Sequence, residues 1–187
     1  MNPAHKALRE GTREEHERLD GLFTGFALDE ADGYRRFLAA HAEILPPLED
    51  ALDHAGAASL LDDWAARRRG SALIADLEAM GGAQIATAPP FLTNMLSQET
   101  SRNATIAGSV YVLEGSRLGG RFLARQVPDD FPTSYLDADQ PSGHWRGLLG
   151  TLDYLLSRPS ELAIAIDAAR AVFGSFETAG RKWLLKE

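Results

Sequence analysis

Gly108-Ser109-Val110-Tyr111-Val112-Leu113-Glu114-Gly115-Ser116-Arg117-Leu118, followed by Gly119-Gly120, is the stretch on which the reading of this chain turns. It lies inside residues 102–127, which otherwise carry the pattern of one helix. At about 100° per residue, Gly108, Gly115 and Gly119 fall within about 40° of one another on the helix surface. Each glycine inside a helix costs about 1 kcal/mol relative to alanine. Three on one face predict a surface left bare, so that a neighbouring helix or a ligand can lie against the backbone.

The counterpart is at the N-terminus, where residues 3–20 read as one helix. Pro3 suits a first turn, where the missing N–H costs nothing. Leu8, Thr12, Leu19 and Phe23 mark the inward face by helical spacing. His16 shares that face, Arg9 lies about 20° off its line, and Asp20 follows His16 by one turn. A ligating histidine usually donates its second ring N–H to an acceptor such as a carboxylate, which fixes the tautomer. On this helix alone, a packed histidine with solvated neighbours is the favoured explanation of the pattern.

Between and beyond these segments the chain reads as helical throughout. Helices are expected over residues 30–45, 48–56, 59–80 (one or two, punctuated by Gly70), 142–156 and 160–186. Pro46-Pro47 should interrupt a helix, because an interior proline removes a hydrogen bond and clashes with the preceding turn. Residues 22–28, 81–90 and 128–141 read as irregular segments or loops. No strand-length alternation, internal repeat or low-complexity segment is seen. The expectation is an all-α bundle forming one domain over residues 1–187, long enough to bury a substantial core.

Composition narrows the chemistry. With no cysteine there is no disulfide, thiolate ligand or cysteine nucleophile. A net charge of −8 argues against a nucleic-acid partner, which needs a basic face. No apolar run approaches the roughly 18 residues of a membrane span, and the N-terminus lacks a signal-peptide core, so no membrane association and a cytoplasmic location are expected. A di-iron bundle would need Glu-x-x-His pairs, and the chain has none. Nucleophile-elbow, phosphate-loop and dinucleotide motifs are also missing. Arg67-Arg68-Arg69 reads as a solvated helix face offset by Asp62, Asp63 and Asp76. His5 shares the face of His16 and is a secondary ligand candidate, whereas His41, His54 and His144 read as structural or surface residues. Phe173 and Phe176 could wall a planar ligand, or simply belong to the core.

Taken together, two segments resemble those of one family. Residues 8–20, with His16 at their centre, resemble the proximal helix of haem oxygenases. Residues 111–120 resemble the distal helix of the bacterial branch, including the type found beside bacteriophytochromes. Their order and separation also fit.

The resemblance implies that haem is both substrate and cofactor, with His16 as the iron ligand and Asp20 steering its Nδ1–H. Gly115, Ser116 and Gly119 would border the opposite side, where dioxygen is activated. Arg9, Thr12, Asp20, Tyr111, Gly120 and Phe173 would contact the haem, Arg9 and Tyr111 at the propionates. Ser116 stands where animal-type enzymes carry an aspartate, so distal water would rest on Ser116 and on carbonyls such as that of Gly115. The implied reaction uses dioxygen and reducing electrons to give biliverdin, carbon monoxide and ferrous iron. Electrons would come from a ferredoxin or flavodoxin with its reductase, and a phytochrome could receive the biliverdin. A haem carrier or sensor that does not turn over is the alternative. A thiamin-degrading relative on the same scaffold would want a cysteine or paired carboxylates.

Overall fold

The computed structural model describes residues 2–83, 94, 96–138 and 141–186. Its helices are α1 (Pro3–Gly11), α2 (Arg13–Phe23), α3 (Ala31–Ala42), α4 (Leu45–His54), α5 (Trp64–Arg67), α6 (Gly70–Ala79), α7 (Arg102–Ala124), α8 (His144–Leu155) and α9 (Pro159–Leu184), with a 3₁₀ turn at Ala57–Ser59. No strand occurs among the described residues, as expected for an all-α chain.

α9 is the spine: α7 runs along it, and α3, α2 and α1 pack against it. Ala165, Ala168 and Ala169 on α9 are fully buried, so a neighbouring helix can approach closely. Gly108 completes that approach, because a Cβ there would sit 2.0 Å from the Ala165 carbonyl oxygen. Tyr34, Phe37, Leu38, Leu45 and Leu48 of α3 and α4 fill the core beside it.

The expected N-terminal helix is two helices, bent at Thr12 (φ −119°, ψ 9°). The Thr12 hydroxyl donates to the Leu8 carbonyl at 2.8 Å, the back-bonding that bends helices. The Thr12 and His16 amides still reach the Leu8 and Thr12 carbonyls at 3.0 Å, so the ladder continues across the bend. On the inner side Gly11 rests on Ile166, which a Cβ would approach to 2.9 Å.

Pro46-Pro47 opens α4 instead of interrupting an earlier helix; in a first turn neither missing amide is needed. Residues 59–80 are more broken than their pattern suggests, with a single turn at α5 and then α6. Gly70 begins α6 where a punctuation mark was expected. The buried Glu49 carboxylate accepts the amides of Arg69 (2.7 Å) and Gly70 (3.0 Å), satisfying orphan N–H groups of that start. A Cβ at Gly70 would lie 2.8 Å from Glu49 Oε2. Gly81, at φ +73°, ends α6 as the sequence predicts. The expected loop over residues 81–90 falls largely outside the described residues.

Candidate functional site

A cavity of about 740 Å³ opens between α2, α7 and α9, within the range of small-molecule sites. All ten expected site residues border it: Arg9, Thr12, His16, Asp20, Tyr111, Gly115, Ser116, Gly119, Gly120 and Phe173.

On the α2 side, the one-turn spacing places His16 Nδ1 3.0 Å from Asp20 Oδ2. Both side chains are more than half exposed, at 59% and 68%, so the pair stands at an accessible wall. With Nδ1 engaged by a carboxylate, Nε2 is the nitrogen free to act as a ligand. Phe173 packs edge-on to the ring at 5.8 Å and is buried.

On the α7 side, the glycine stripe divides. A Cβ at Gly115 or Gly119 would meet no atom within 4 Å, so both face open space. Gly120 borders the cavity too, but its missing Cβ serves a protein contact, since the Leu136 carbonyl oxygen lies 3.1 Å from where it would be. Gly108, expected on the same bare face, is spent wholly on α9. Helical register groups these glycines, and only the partner elements separate their roles.

At the mouth, Arg9 is exposed, a cation available to a carboxylate. Tyr111 is half-buried; burial pushes its hydroxyl up, against smaller lowering effects of a Thr12 hydrogen bond and of Arg9. His5 joins Tyr111 and Trp145 in an aromatic cluster, at 6.0 and 5.6 Å between ring centres. Burial, then Arg9, lowers its pKa.

The inner wall departs most from expectation. Arg67 and Arg69 are each only 4% exposed, so the arginine run is not a solvated face. Arg67 holds Asp63 at 2.6 Å and Glu114 at 2.8 Å. Glu114 also takes Arg117 at 2.8 Å, pinning α7 beside Gly115 with a buried charge cluster. Asp76, expected to offset the run, instead accepts the Tyr135 amide at 2.7 Å. Arg69 Nη2 donates to Ser116 Oγ at 2.7 Å and to the Leu113 carbonyl at 2.9 Å. Its guanidinium lies 5.0 Å from the Tyr135 ring centre. Successive residues are about 100° apart on a helix, so three consecutive arginines cannot share one face; that was the available signal.

His41 borders the deep end among Phe23, Phe37, Tyr135 and Phe176. Burial pushes its pKa down to about 4, partly opposed by the Nδ1 bond to the Phe37 carbonyl (2.8 Å). Its structural reading stands, although it also shapes the cavity. Among the described residues no group of three or more His, Cys, Asp or Glu side chains could hold a metal, so His16 is a lone-imidazole candidate. No helix there is long and apolar enough to cross a membrane.

No family model matches the chain. Two solved structures share its fold: a haem oxygenase from Neisseria meningitidis in NO- and CO-bound forms (TM-score 0.79, 21% identity, covering 97% of this chain and 92% of that one), and a haem oxygenase from Leptospira interrogans (TM-score 0.72, 22% identity, covering 97% and 100%). A haem oxygenase of Xanthomonas campestris pv. campestris is 32% identical over 155 residues, 80% of this chain and 89% of that protein. With that identity over most of both sequences, the chain belongs to the haem oxygenase family and is a haem-degrading enzyme.

Proposed function

We propose that His16 ligates the haem iron through Nε2 and that the enzyme converts haem to biliverdin, carbon monoxide and ferrous iron. The observation that carries this is a pairing across one cavity: an imidazole steered by Asp20 at 3.0 Å, and a helix whose Gly115 and Gly119 leave open space. The residues present fit the group, because any Cβ at those glycines would take room from a flat ligand lying on the backbone.

When bound, haem supplies both the ring to be cut and the iron that activates dioxygen. The chain's own residues do the rest. Asp20 accepts the Nδ1 proton of His16, which orients the ring and raises its basicity as a ligand. Phe173 packs against that imidazole and limits its rotation. Arg9 and Tyr111, which line the cavity with Thr12, would hold the propionates and so seat the ring. Gly115 and Gly119 keep α7 bare, so that haem and dioxygen would be confined there by backbone, while Gly120 borders the same cavity and packs on Leu136. Ser116 Oγ, which accepts from Arg69 and donates to the Leu113 carbonyl at 2.7 Å, is a fixed partner for distal water. Dioxygen is the co-substrate, and a ferredoxin or flavodoxin with its reductase is the proposed electron source in the cytoplasm. A phytochrome as recipient of biliverdin rests on the resemblance of residues 111–120 alone.

The test is an absorbance time course with one equivalent of hemin, a reductant, and catalase to remove free peroxide. A histidine-type Soret band decaying into the broad red absorption of biliverdin is expected. A stable Soret band without bilin would indicate a carrier or sensor. His16→Ala should abolish the histidine-type spectrum and most turnover; retention of both would remove His16 from its role.

A further inference from the structure

α9 meets the N-terminal helices through a single stripe. Ile166, Arg170, Phe173, Glu177 and Gly180 follow one another at spacings of four and three, so they share one helix face. Along it they touch α1 and α2 in chain order. Ile166 underlies Gly11, where a Cβ would approach it to 2.9 Å. The Arg170 Nε–H donates to the Gly11 carbonyl at 2.8 Å, and the same nitrogen lies 3.9 Å from the Glu15 carboxylate. Phe173 packs on the His16 ring, and Glu177 pairs with Arg18 at 3.4 Å. A Cβ at Gly180 would meet Leu22 at 2.9 Å and Phe23 at 3.1 Å.

Within this stripe Arg170 reaches both sides of the bend at Thr12, since Gly11 closes α1 and Glu15 stands in the first turn of α2. A side chain that engages a helix carbonyl is among the few physical causes of a sharp kink. The Thr12 hydroxyl on the Leu8 carbonyl acts in the same sense from within the chain. The vertex borders the cavity, with Arg9 before it and His16 after it. On a straight helix these two would stand two turns apart on nearly one line. The angle at Thr12 therefore decides where Arg9 stands relative to His16.

We propose that Arg170 is a positioning residue: by clamping the bend at Thr12 it fixes Arg9 relative to His16, and so sets the rotation of the haem about the iron–histidine bond and the meso carbon that is cut. This rests on the haem reading above. A flat ring held by one axial bond can turn about it, and a second contact at the propionates stops the turning. Here the two contacts come from opposite sides of the bend. Arg170 is half exposed, so its bond adds little to stability. A preference of about tenfold between two rotations nevertheless needs no more than one hydrogen bond.

The test compares Arg170→Met, which removes the donor at similar length, with Arg170→Gln, whose amide N–H occupies the place of Nε without the charge. Three readouts apply. Hydrogen exchange of the His16 amide, which spans the bend to the Thr12 carbonyl, is followed in the haem-free protein. Haem methyl proton shifts of the cyanide-bound ferric complex report the rotation of the ring relative to the histidine plane. Chromatography separates the biliverdin isomers. Met should speed the exchange about fivefold or more, change the methyl pattern and add a second isomer at about a tenth or more of the product, with a histidine-type Soret band retained. Gln should match wild type in all three. Unchanged exchange in the Met variant overturns the clamp, and faster exchange with the wild-type methyl pattern overturns its link to seating. Equal changes in Met and Gln would assign the effect to charge and also overturn it, as would mixed isomers from wild type. Should the Met variant not fold or load, Gly11→Ala decides, because its Cβ drives α1 off Ile166; a wild-type methyl pattern there overturns the proposal. Failure of wild type to take up haem removes the haem reading and this one together; normal uptake with no change of pattern in the Met variant removes this one alone.

Discussion

Gly108 and Gly119 lie on one helix, within about 40° of the same line, and do opposite things. At the Gly108 end of α7 the missing side chain is filled by a neighbour, the Ala165 carbonyl of α9. At the Gly119 end nothing comes within 4 Å of the missing Cβ, because the cavity begins there. One end of the helix uses glycine to gain packing and the other to withhold it. Both cost the same helix propensity, so the sequence spends it once on stability and once on an empty space.

The largest expected effect tests the packed end. Gly108→Val would drive a branched side chain into the α9 backbone, which cannot rotate aside. Overpacking of this kind costs about 3 kcal/mol or more. Urea unfolding should show it as a lower midpoint with an unchanged slope. A variant as stable as wild type would mean that α7 and α9 slide freely, and the packed end would lose its distinction.

The next effect is at the floor, where cavity meets core. His41 has a folded pKa of about 4 against an ordinary value near 6.5. Between those values the unfolded chain binds a proton that the folded one refuses, so stability falls as pH drops from about 6.5 to about 4. The integrated loss is about 3 kcal/mol. It should appear in wild type minus His41→Leu, a difference that cancels Glu49. Burial raises the Glu49 pKa, so its contribution runs the other way and fades as pH rises. A difference that stays flat across that window would place His41 in water and not in the floor.

The two walls were unequally legible in the sequence. His16, Asp20 and the α7 glycines are related by spacings within single helices, and helix geometry carries those spacings whatever the packing. The bend at Thr12 changes the course of the N-terminal helix but keeps His16 and Asp20 one turn apart, because both lie beyond it in α2. Which glycine faces a neighbour and which faces space depends on α9 and on Leu136, residues that no local pattern points to. Arg67 and Arg69 were misread for the same reason. Their partners Glu114, Leu113 and Ser116 lie 44 to 47 residues away, and a charge buried by distant partners looks like a surface charge in sequence. The α6 start was equally hidden, since its cap is Glu49, from a different helix.

The smallest expected change in stability carries the sharpest functional consequence. Gly119→Val places its branches in space where no atom lies within 4 Å, and valine is a slightly better helix former than glycine. Its unfolding free energy should stay within about 0.5 kcal/mol of wild type. The added methyl groups occupy the room that the proposed reaction needs beside the haem, and a displacement of about 1 Å is enough to cost a large factor in rate. Haem conversion should therefore fall about tenfold or more while the fold is untouched. Paired with Gly108→Val, it divides stability from turnover along one helix: Gly108→Val loses stability and Gly119→Val loses the chemistry. Native-rate turnover by Gly119→Val would leave the open end with no function beyond that of the packed one.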